Sequence, residues 1–143
     1  MQITHSFDEA EALVVGWGVR VMLLTADPDG PVARRLAGLG GTVEAETEFY
    51  ASLSAMIDDP VGYGVFVMEC DSMGGLEAGQ RAQATLAAVK SRIPVILISS
   101  DFKSQVFPQG REAAVCLRAP LSAVSLRVGF EHALRDRLMW HAA

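Results

Sequence analysis

The run Val19-Arg20-Val21-Met22-Leu23-Leu24 decides the fold, because it is almost continuously apolar and passes directly into Thr25-Ala26-Asp27-Pro28. Two further apolar runs of similar length follow, at residues 65–68 and 95–98. Short runs of this kind are typical of parallel strands that helices bury on both faces. Two weaker runs complete a predicted five-stranded sheet: residues 42–45 and 113–117.

Helical stretches separate these runs, at residues 31–39, 49–57, 76–92 and 121 to about 139. The first begins at Pro31 and ends before Gly40-Gly41, the usual asymmetry of helix start and stop. Residues 101–112 lack apolar periodicity, so the helix between the fourth and fifth strands is predicted to be short, irregular or mobile. Right-handed crossovers then predict a flavodoxin-like, doubly wound (βα)5 three-layer α/β sandwich with parallel strand order 2-1-3-4-5.

Composition limits the number of domains and the kind of partner. The chain has 143 residues, half of them hydrophobic, which predicts one domain over residues 18–140, an N-terminal arm (1–17) and a tail (141–143). Its formal charge is −5 and its 12 basic residues are scattered, so we expect no nucleic-acid binding. No signal sequence is visible, nor an apolar run near the roughly 20 residues of a membrane span, which predicts a cytoplasmic protein without membrane contact.

The candidate site follows from the predicted topology. In open α/β sheets, ligands and reactive groups gather at the carboxyl ends of the strands where strand order reverses. The residues at these ends are Thr25-Ala26-Asp27, Glu69-Cys70-Asp71, Ser99-Ser100 and Arg118-Ala119-Pro120. The isolated histidines and the two separated cysteines predict no metal site and no disulfide.

Four segments together resemble the receiver domain of two-component response regulators, over roughly residues 19–138. Residues 23–28 are similar to that family's first strand, which runs into two or three acids and a proline. Met73-Gly74-Gly75-Leu76-Glu77-Ala78 is similar to its Met-Pro-Gly-Met-Asp-Gly turn. Residues 94–100 and 117–121 resemble the segments that end its fourth and fifth strands. The resemblance implies a role in phosphorelay signal transduction.

The same resemblance implies that the phosphorylation chemistry is degenerate. Thr25 and Ala26 stand where the family has its metal-binding acids, and only Asp27, the third position, is acidic. Ala119 stands where the family has its phosphate-pairing lysine, and strand alternation predicts that Arg118 points to the opposite face. Ser99 retains the hydroxyl that, in active receivers, donates a hydrogen bond to the phosphoryl oxygens.

The sequence does not assign the phosphate-acceptor position to a single residue. Counting back from Met73 in the turn motif places Cys70 there, whereas counting back from Ser99 places Glu69 there; Asp71 is the only aspartate nearby. Phosphoryl transfer depends on positioning and on charge neutralisation by metal and cationic groups, which this pattern lacks. We therefore expect no bound metal, no cofactor and no enzymatic activity. A glutamate at the acceptor position would instead favour an activated-like state without phosphate.

The sequence thus predicts a stand-alone pseudo-receiver that contacts a kinase, regulator or effector, or a second copy of itself, independently of phosphorylation. In the family, the face formed by the fourth segment, fifth strand and last helix commonly serves dimerisation and output. Its apolar candidates here are Phe107, Val115, Leu121, Val124 and Val128, with a rim of Lys103, Arg111, Arg118 and Arg127.

Three alternatives stay open. The apolar stripe of the last helix would equally suit packing against the sheet. A genuine receiver would use Asp71 as acceptor, or a rearranged pocket with Asp27 as the sole metal acid. A small-ligand-binding flavodoxin-like module would need a sizeable pocket at the carboxyl edge of the sheet.

Overall fold

The computed structural model describes residues 17–59, 61–89, 92–110 and 112–135. Most of the predicted N-terminal arm, the predicted tail and the last turn of the predicted C-terminal helix lie outside these residues, as does Arg111. No helix within the described ranges has the length and apolar character needed to cross a membrane.

The sheet has five parallel strands: β1 Arg20–Leu24, β2 Thr42–Glu46, β3 Val65–Glu69, β4 Val95–Ser99 and β5 Val115–Arg118. Their order is β2-β1-β3-β4-β5, which confirms the predicted topology. Strand bounds differ from the prediction by one or two residues.

Four α-helices flank the sheet in the described part of the chain: α1 Pro31–Gly38, α2 Phe49–Asp58, α3 Gly75–Ala88 and α4 Ala123–Ala133. A short 3-10 turn, Cys70–Ser72, joins β3 to α3. Helix α3 ends at Ala88, earlier than the predicted residue 92, and Val89, which falls within the predicted helical stretch, is 49% exposed.

The strand residues divide the core into two layers. Val65 and Val67 of β3 belong to the cluster that α1 and α4 cover, whereas Phe66 and Met68 belong to the cluster that α2 and α3 cover. This alternation is the reason why β3 reads as a continuous apolar run in the sequence.

Residues 100–114, the β4–β5 segment, contain no helix in their described part. The predicted irregularity of the stretch is confirmed, but the short fourth helix of the (βα)5 pattern does not form in its described part. The segment is extended and irregular, and its Val106 forms an isolated antiparallel bridge with Cys116 of β5.

Candidate functional site

The strand register brings the predicted site residues to one edge of the sheet. Leu24 lies opposite Met68, Glu69 opposite Ile98, and Ser99 opposite Arg118. The residues that end or follow these strands therefore surround a common crevice. Thr25 and Ser99 are its two buried hydroxyl residues.

Thr25 pairs with Glu69 across the ends of β1 and β3. The Thr25 hydroxyl donates a hydrogen bond of 2.8 Å to Oε1 of Glu69 and accepts one of 3.0 Å from the Asp27 amide. The Thr25 amide in turn donates to the carbonyl of Glu46, the last residue of β2, at 2.9 Å. The single hydroxyl proton of Thr25 is thus committed to a carboxylate of the same chain.

Ser99 pairs in the same way with Asp71, across the ends of β4 and β3. Its hydroxyl donates to Oδ1 of Asp71 at 2.8 Å and accepts from the Asp101 amide at 3.0 Å. The Ser100 amide donates to Oδ2 of the same carboxylate at 2.9 Å. The carboxylate of Asp71 therefore receives a hydroxyl and a backbone N–H at the end of β4.

These contacts determine the charge state of Asp71. Partial burial acts to raise the pKa of its carboxyl, but the hydrogen bonds from Ser100 and Ser99 outweigh it, and the pKa lies below its ordinary value. Asp71 is consequently ionised at neutral pH, and its negative charge is fixed at the crevice.

Cys70 does not face the crevice. Its side chain is fully buried in the layer under α2 and α3, and burial raises the pKa of the thiol to about 12. Helix α3 approaches it closely at Gly79, where an added Cβ would lie 2.6 Å from Sγ of Cys70. A buried, protonated thiol cannot accept a phosphoryl group from solvent, so Glu69 and Asp71 are the two acceptor candidates that face the crevice.

The remaining predicted residues add no metal or phosphate ligand set. Asp27 is exposed and its carboxylate lies against Gly30, at the start of α1, while Ala26 is exposed and neutral. No group of three or more His, Cys, Asp and Glu side chains with metal-site spacing occurs in the described ranges.

The end of β5 carries one cation, Arg118, and it contacts the backbone of the β4–β5 segment. Arg118 is exposed, and its Nη1 donates to the carbonyls of Phe102 and Lys103 at 2.8 and 3.2 Å. Ala119 is half-buried and donates its amide to the carbonyl of Ser99 at 3.1 Å, and the Ala119–Pro120 peptide is cis. Arg118 lies opposite Ser99 in the strand register, so its orientation to the face opposite the crevice stays a prediction.

Comparisons with known proteins bear on the fold. No protein-family model matches the chain, and no curated protein matches its sequence. Among solved structures, the response regulator receiver domain protein from Clostridium thermocellum matches with a TM-score of 0.61 and 13% identity, over 85% of this chain and 98% of that one. The chain has the fold of a receiver domain. At this identity the likeness concerns the fold alone.

Within the receiver fold, the predicted interface residues separate into exposed and packed side chains. Val124 and Val128 on α4 are 72% and 43% exposed, so they do not pack against the sheet. Phe107 and Leu121 are partly buried against the core, and Val115 is only 3% exposed. Including Val115 among the surface contacts was therefore wrong, because strand alternation directs it into the core. Lys103, Arg118 and Arg127 are exposed around this face.

Sequence reasoning missed the two hydroxyl–carboxylate pairs. A signal for them is present, because Thr25-Ala26-Asp27 and Ser99-Ser100-Asp101 share a Ser/Thr-x-Asp pattern whose hydroxyl residue ends or directly follows a strand. In such turns the hydroxyl accepts the N–H two residues ahead, which aims its own proton in a fixed direction.

Proposed function

We propose that this chain is a receiver-like signalling domain of two-component systems that binds other signalling proteins without being phosphorylated. Its receiver fold and the four receiver-like sequence segments support the pathway class. The observation that carries the proposal is that both buried crevice hydroxyls already donate to carboxylates of the chain itself.

A phosphoryl group would have to displace these internal contacts. Ser99 has one hydroxyl proton, and donating it to a phosphoryl oxygen requires breaking its bond to Asp71. The incoming group would also add negative charge beside Glu69 and Asp71. Thr25, Ala26 and Ala119 supply neither metal ligands nor a cation to neutralise that charge.

The crevice therefore supports a domain whose conformation is held by its own acids, with no catalytic activity, bound metal or cofactor of its own. Asp71 ionised against Ser99 and Ser100 places a permanent negative charge where β4 ends. Because this charge is fixed, the conformation at the end of β4 does not depend on phosphorylation by a kinase.

An intact-mass assay tests the absence of phosphorylation. We expect no mass increase when the wild type is incubated with acetyl phosphate and Mg²⁺. A variant carrying Thr25→Asp, Ala26→Asp and Ala119→Lys serves as the comparison, because it returns the missing charges to the crevice. A Mg²⁺-dependent, hydroxylamine-sensitive mass gain on the wild type would overturn the proposal.

The second candidate is a phospho-accepting receiver that uses Asp71. It is favoured by the exposure of Asp71 and by the two donors that already converge on its carboxylate. If the wild type is labelled in the assay above and the Asp71→Asn variant is not, this second function replaces the first. A small-ligand module is tested separately by thermal-shift screening with flavins and nucleotides.

The contact surface that we propose is the face formed by α4, β5 and the β4–β5 segment. Val124 and Val128 lie one helical turn apart and expose a continuous apolar strip, which Arg127 flanks. The expected partner is a kinase, regulator or effector of the same pathway, or a second copy of the chain.

A charge placed on this strip tests the surface. We expect the double variant Val124→Asp, Val128→Asp to lose self-association in sedimentation velocity, or binding to a histidine kinase in a pull-down. Val61→Asp is the matched control, because Val61 is 94% exposed but lies in the loop between α2 and β3. Equal behaviour of the two variants would place the contact elsewhere.

A further inference from the structure

A second exposed apolar strip lies on α2, apart from the one on α4. Tyr50 and Ile57 are 67% and 39% exposed. They lie two helical turns apart on one face of α2, with the exposed Ser54 between them. The Phe49 ring packs edge-on to the Tyr50 ring, with 5.2 Å between the ring centroids. Tyr50, Ser54 and Ile57 form the α2 strip, which faces solvent.

The two exposed strips have complementary shapes. On α4, Val124 and Val128 lie one turn apart and form the α4 strip. On the α2 strip, the small side chain of Ser54 leaves a depression between two large side chains. Side-chain ridges of one helix pack into the grooves of another. A valine of the α4 strip therefore has a place between Tyr50 and Ile57.

The surroundings of the α2 strip are acidic. Residues 42–59, which include α2, contain five acids and neither Lys nor Arg. Glu48 at the start of the helix and Asp58 at its end are both exposed. Arg20 of β1 pairs with two other acids of this stretch. The α2 strip therefore presents an apolar centre between two acids.

The surroundings of the α4 strip are basic. Lys103, Arg118 and Arg127 are exposed around it, and Glu131 is the one acid between residues 115 and 133. Arg127 donates to that carboxylate at 2.9 Å, so the cations around the strip outnumber the acid. Two α4 strips brought together would oppose like charges, whereas an α2 strip would bring acids to these cations. Charge thus favours α2 over a second α4 as the partner.

The two strips lie on opposite faces of the sheet. Helices α1 and α4 cover one face, and α2 and α3 cover the other. The strips of one copy therefore cannot meet, and a contact between an α4 strip and an α2 strip joins two copies. Such a contact uses two different surfaces, so each pair of copies keeps one strip of each kind for further copies.

We propose that the α4 strip binds the α2 strip of a second copy of this chain, in a head-to-tail contact that extends into short chains or closes into a ring. The inference rests on the proposed function, because it names the partner of the contact surface proposed there. The apolar side chains supply the contact, and the opposite charges around them set its direction.

Two variants of the full chain, each lacking one strip, test this by mixing. Val124→Asp, Val128→Asp lacks the α4 strip, and Tyr50→Ser, Ile57→Ser lacks the α2 strip. In sedimentation velocity we expect the wild type to form species larger than a dimer as its concentration rises, and each variant alone to stay monomeric. Because each variant keeps the strip that the other lacks, an equimolar mixture should form a 1:1 dimer and nothing larger.

A third variant controls for exposed apolar side chains in general. Val89 is 49% exposed at the end of α3 and belongs to neither strip. Val89→Asp should assemble like the wild type. Its loss of assembly would show that the two strips are not the contact and would overturn the inference.

The other outcomes separate this inference from the proposed function. If the α4 variant is monomeric while the α2 variant still dimerises, the contact is a symmetric one between α4 strips, and the inference is overturned while the proposed surface stands. The same holds if the wild type is monomeric and its α4 strip binds only a histidine kinase. A mixture that stays monomeric also overturns the inference. If the α4 variant assembles like the wild type, the proposed surface itself is wrong.

Discussion

Thr25 and Ser99 have the same local arrangement at the ends of two different strands. Each hydroxyl accepts the amide N–H two residues ahead and donates to a carboxylate that comes from the end of β3. Because each hydroxyl is buried and has one proton, its partner is fixed by the turn that follows the strand. The two buried hydroxyls of the crevice are thus each paired with a carboxylate of the same chain.

Removal of the Asp71 carboxylate is predicted to destabilise the domain modestly. Asp71→Ala leaves the buried Ser99 hydroxyl without its acceptor, and we expect a loss of about 1 kcal/mol in the free energy of unfolding, reduced by solvent exposure. Urea denaturation at pH 7 measures it, with Asp101→Ala as the control.

The same prediction has a pH dependence with a defined sign. The pKa of Asp71 is lower in the folded state, so its stabilising effect is present above its ordinary pKa and is lost as pH falls through the lowered value. The difference between wild type and Asp71→Ala should therefore shrink below about pH 4. A difference that stays constant down to full protonation would contradict the assigned hydrogen bonds.

The two cysteines are predicted to differ in reactivity. Cys70 is fully buried with a pKa of about 12, whereas Cys116 is partly exposed and its pKa is raised less by burial. Under native conditions at pH 8, iodoacetamide should modify Cys116 well before Cys70. Peptide mass spectrometry reads the order directly, and faster modification of Cys70 would show that it faces solvent.

At the scale of elements, α4 is positioned by a close approach to β5. Gly129 faces Leu117, and a Cβ added there would lie 2.9 Å from Cδ1 of Leu117. This contact orients α4 so that Leu126 and Phe130 enter the core while Val124 and Val128 stay in solvent. The exposed strip of the proposed interface is therefore a consequence of how the helix is seated.

Filling the space at Gly129 is predicted to weaken this packing. In Gly129→Ala the crowding of Leu117 costs about 1–3 kcal/mol, which the better helix propensity of alanine offsets by up to about 1 kcal/mol. We expect a net loss of stability by urea denaturation. Gly38→Ala in α1 is the control, because an added Cβ there meets nothing within 4 Å; equal effects of both variants would argue against close packing of α4.

A different cluster connects the edge strand β2 to Arg20, at the amino end of β1 and away from the crevice. Arg20 of β1 donates to Glu44 of β2 and to Asp59 after α2, and its guanidinium lies 4.2 Å from the Tyr63 ring centre. The hydrogen bond with Tyr63 and then the bonds from Arg20 hold the pKa of Glu44 below its ordinary value. This cluster has no simple sequence signature, because its members come from four separate parts of the chain.

Across the whole molecule, the topology was predictable because apolar runs report burial on both faces of a parallel sheet. The order of strands and most bounds follow from these runs and from crossover handedness. Packing contacts were harder to predict from the sequence. The early end of α3 and the exposure of Val124 and Val128 depend on how the helices pack against the sheet. A predicted stripe identifies an apolar face but not the angle at which it meets its neighbours.

The location of the site at the carboxyl ends of the strands was predictable from the sequence, but its hydrogen bonding was not. Counting along the motifs pointed to Cys70 or Glu69, with Asp71 as the only nearby aspartate. Their side-chain directions separate the three: Glu69 faces Thr25, Cys70 is buried, and Asp71 faces Ser99. A turn that follows a strand sets these directions, and a one-residue change in the turn would exchange them.

The donors of the crevice are occupied by the chain's own acids, and a titration with beryllofluoride and Mg²⁺ followed by amide NMR tests this most directly. The amides of Thr25, Asp71, Ser99 and Ser100 should show no saturable, Mg²⁺-dependent shifts, because Asp71 already fills the donors at the end of β4. Saturable shifts of these amides at stoichiometric beryllofluoride would contradict the account and establish a working phosphoryl site.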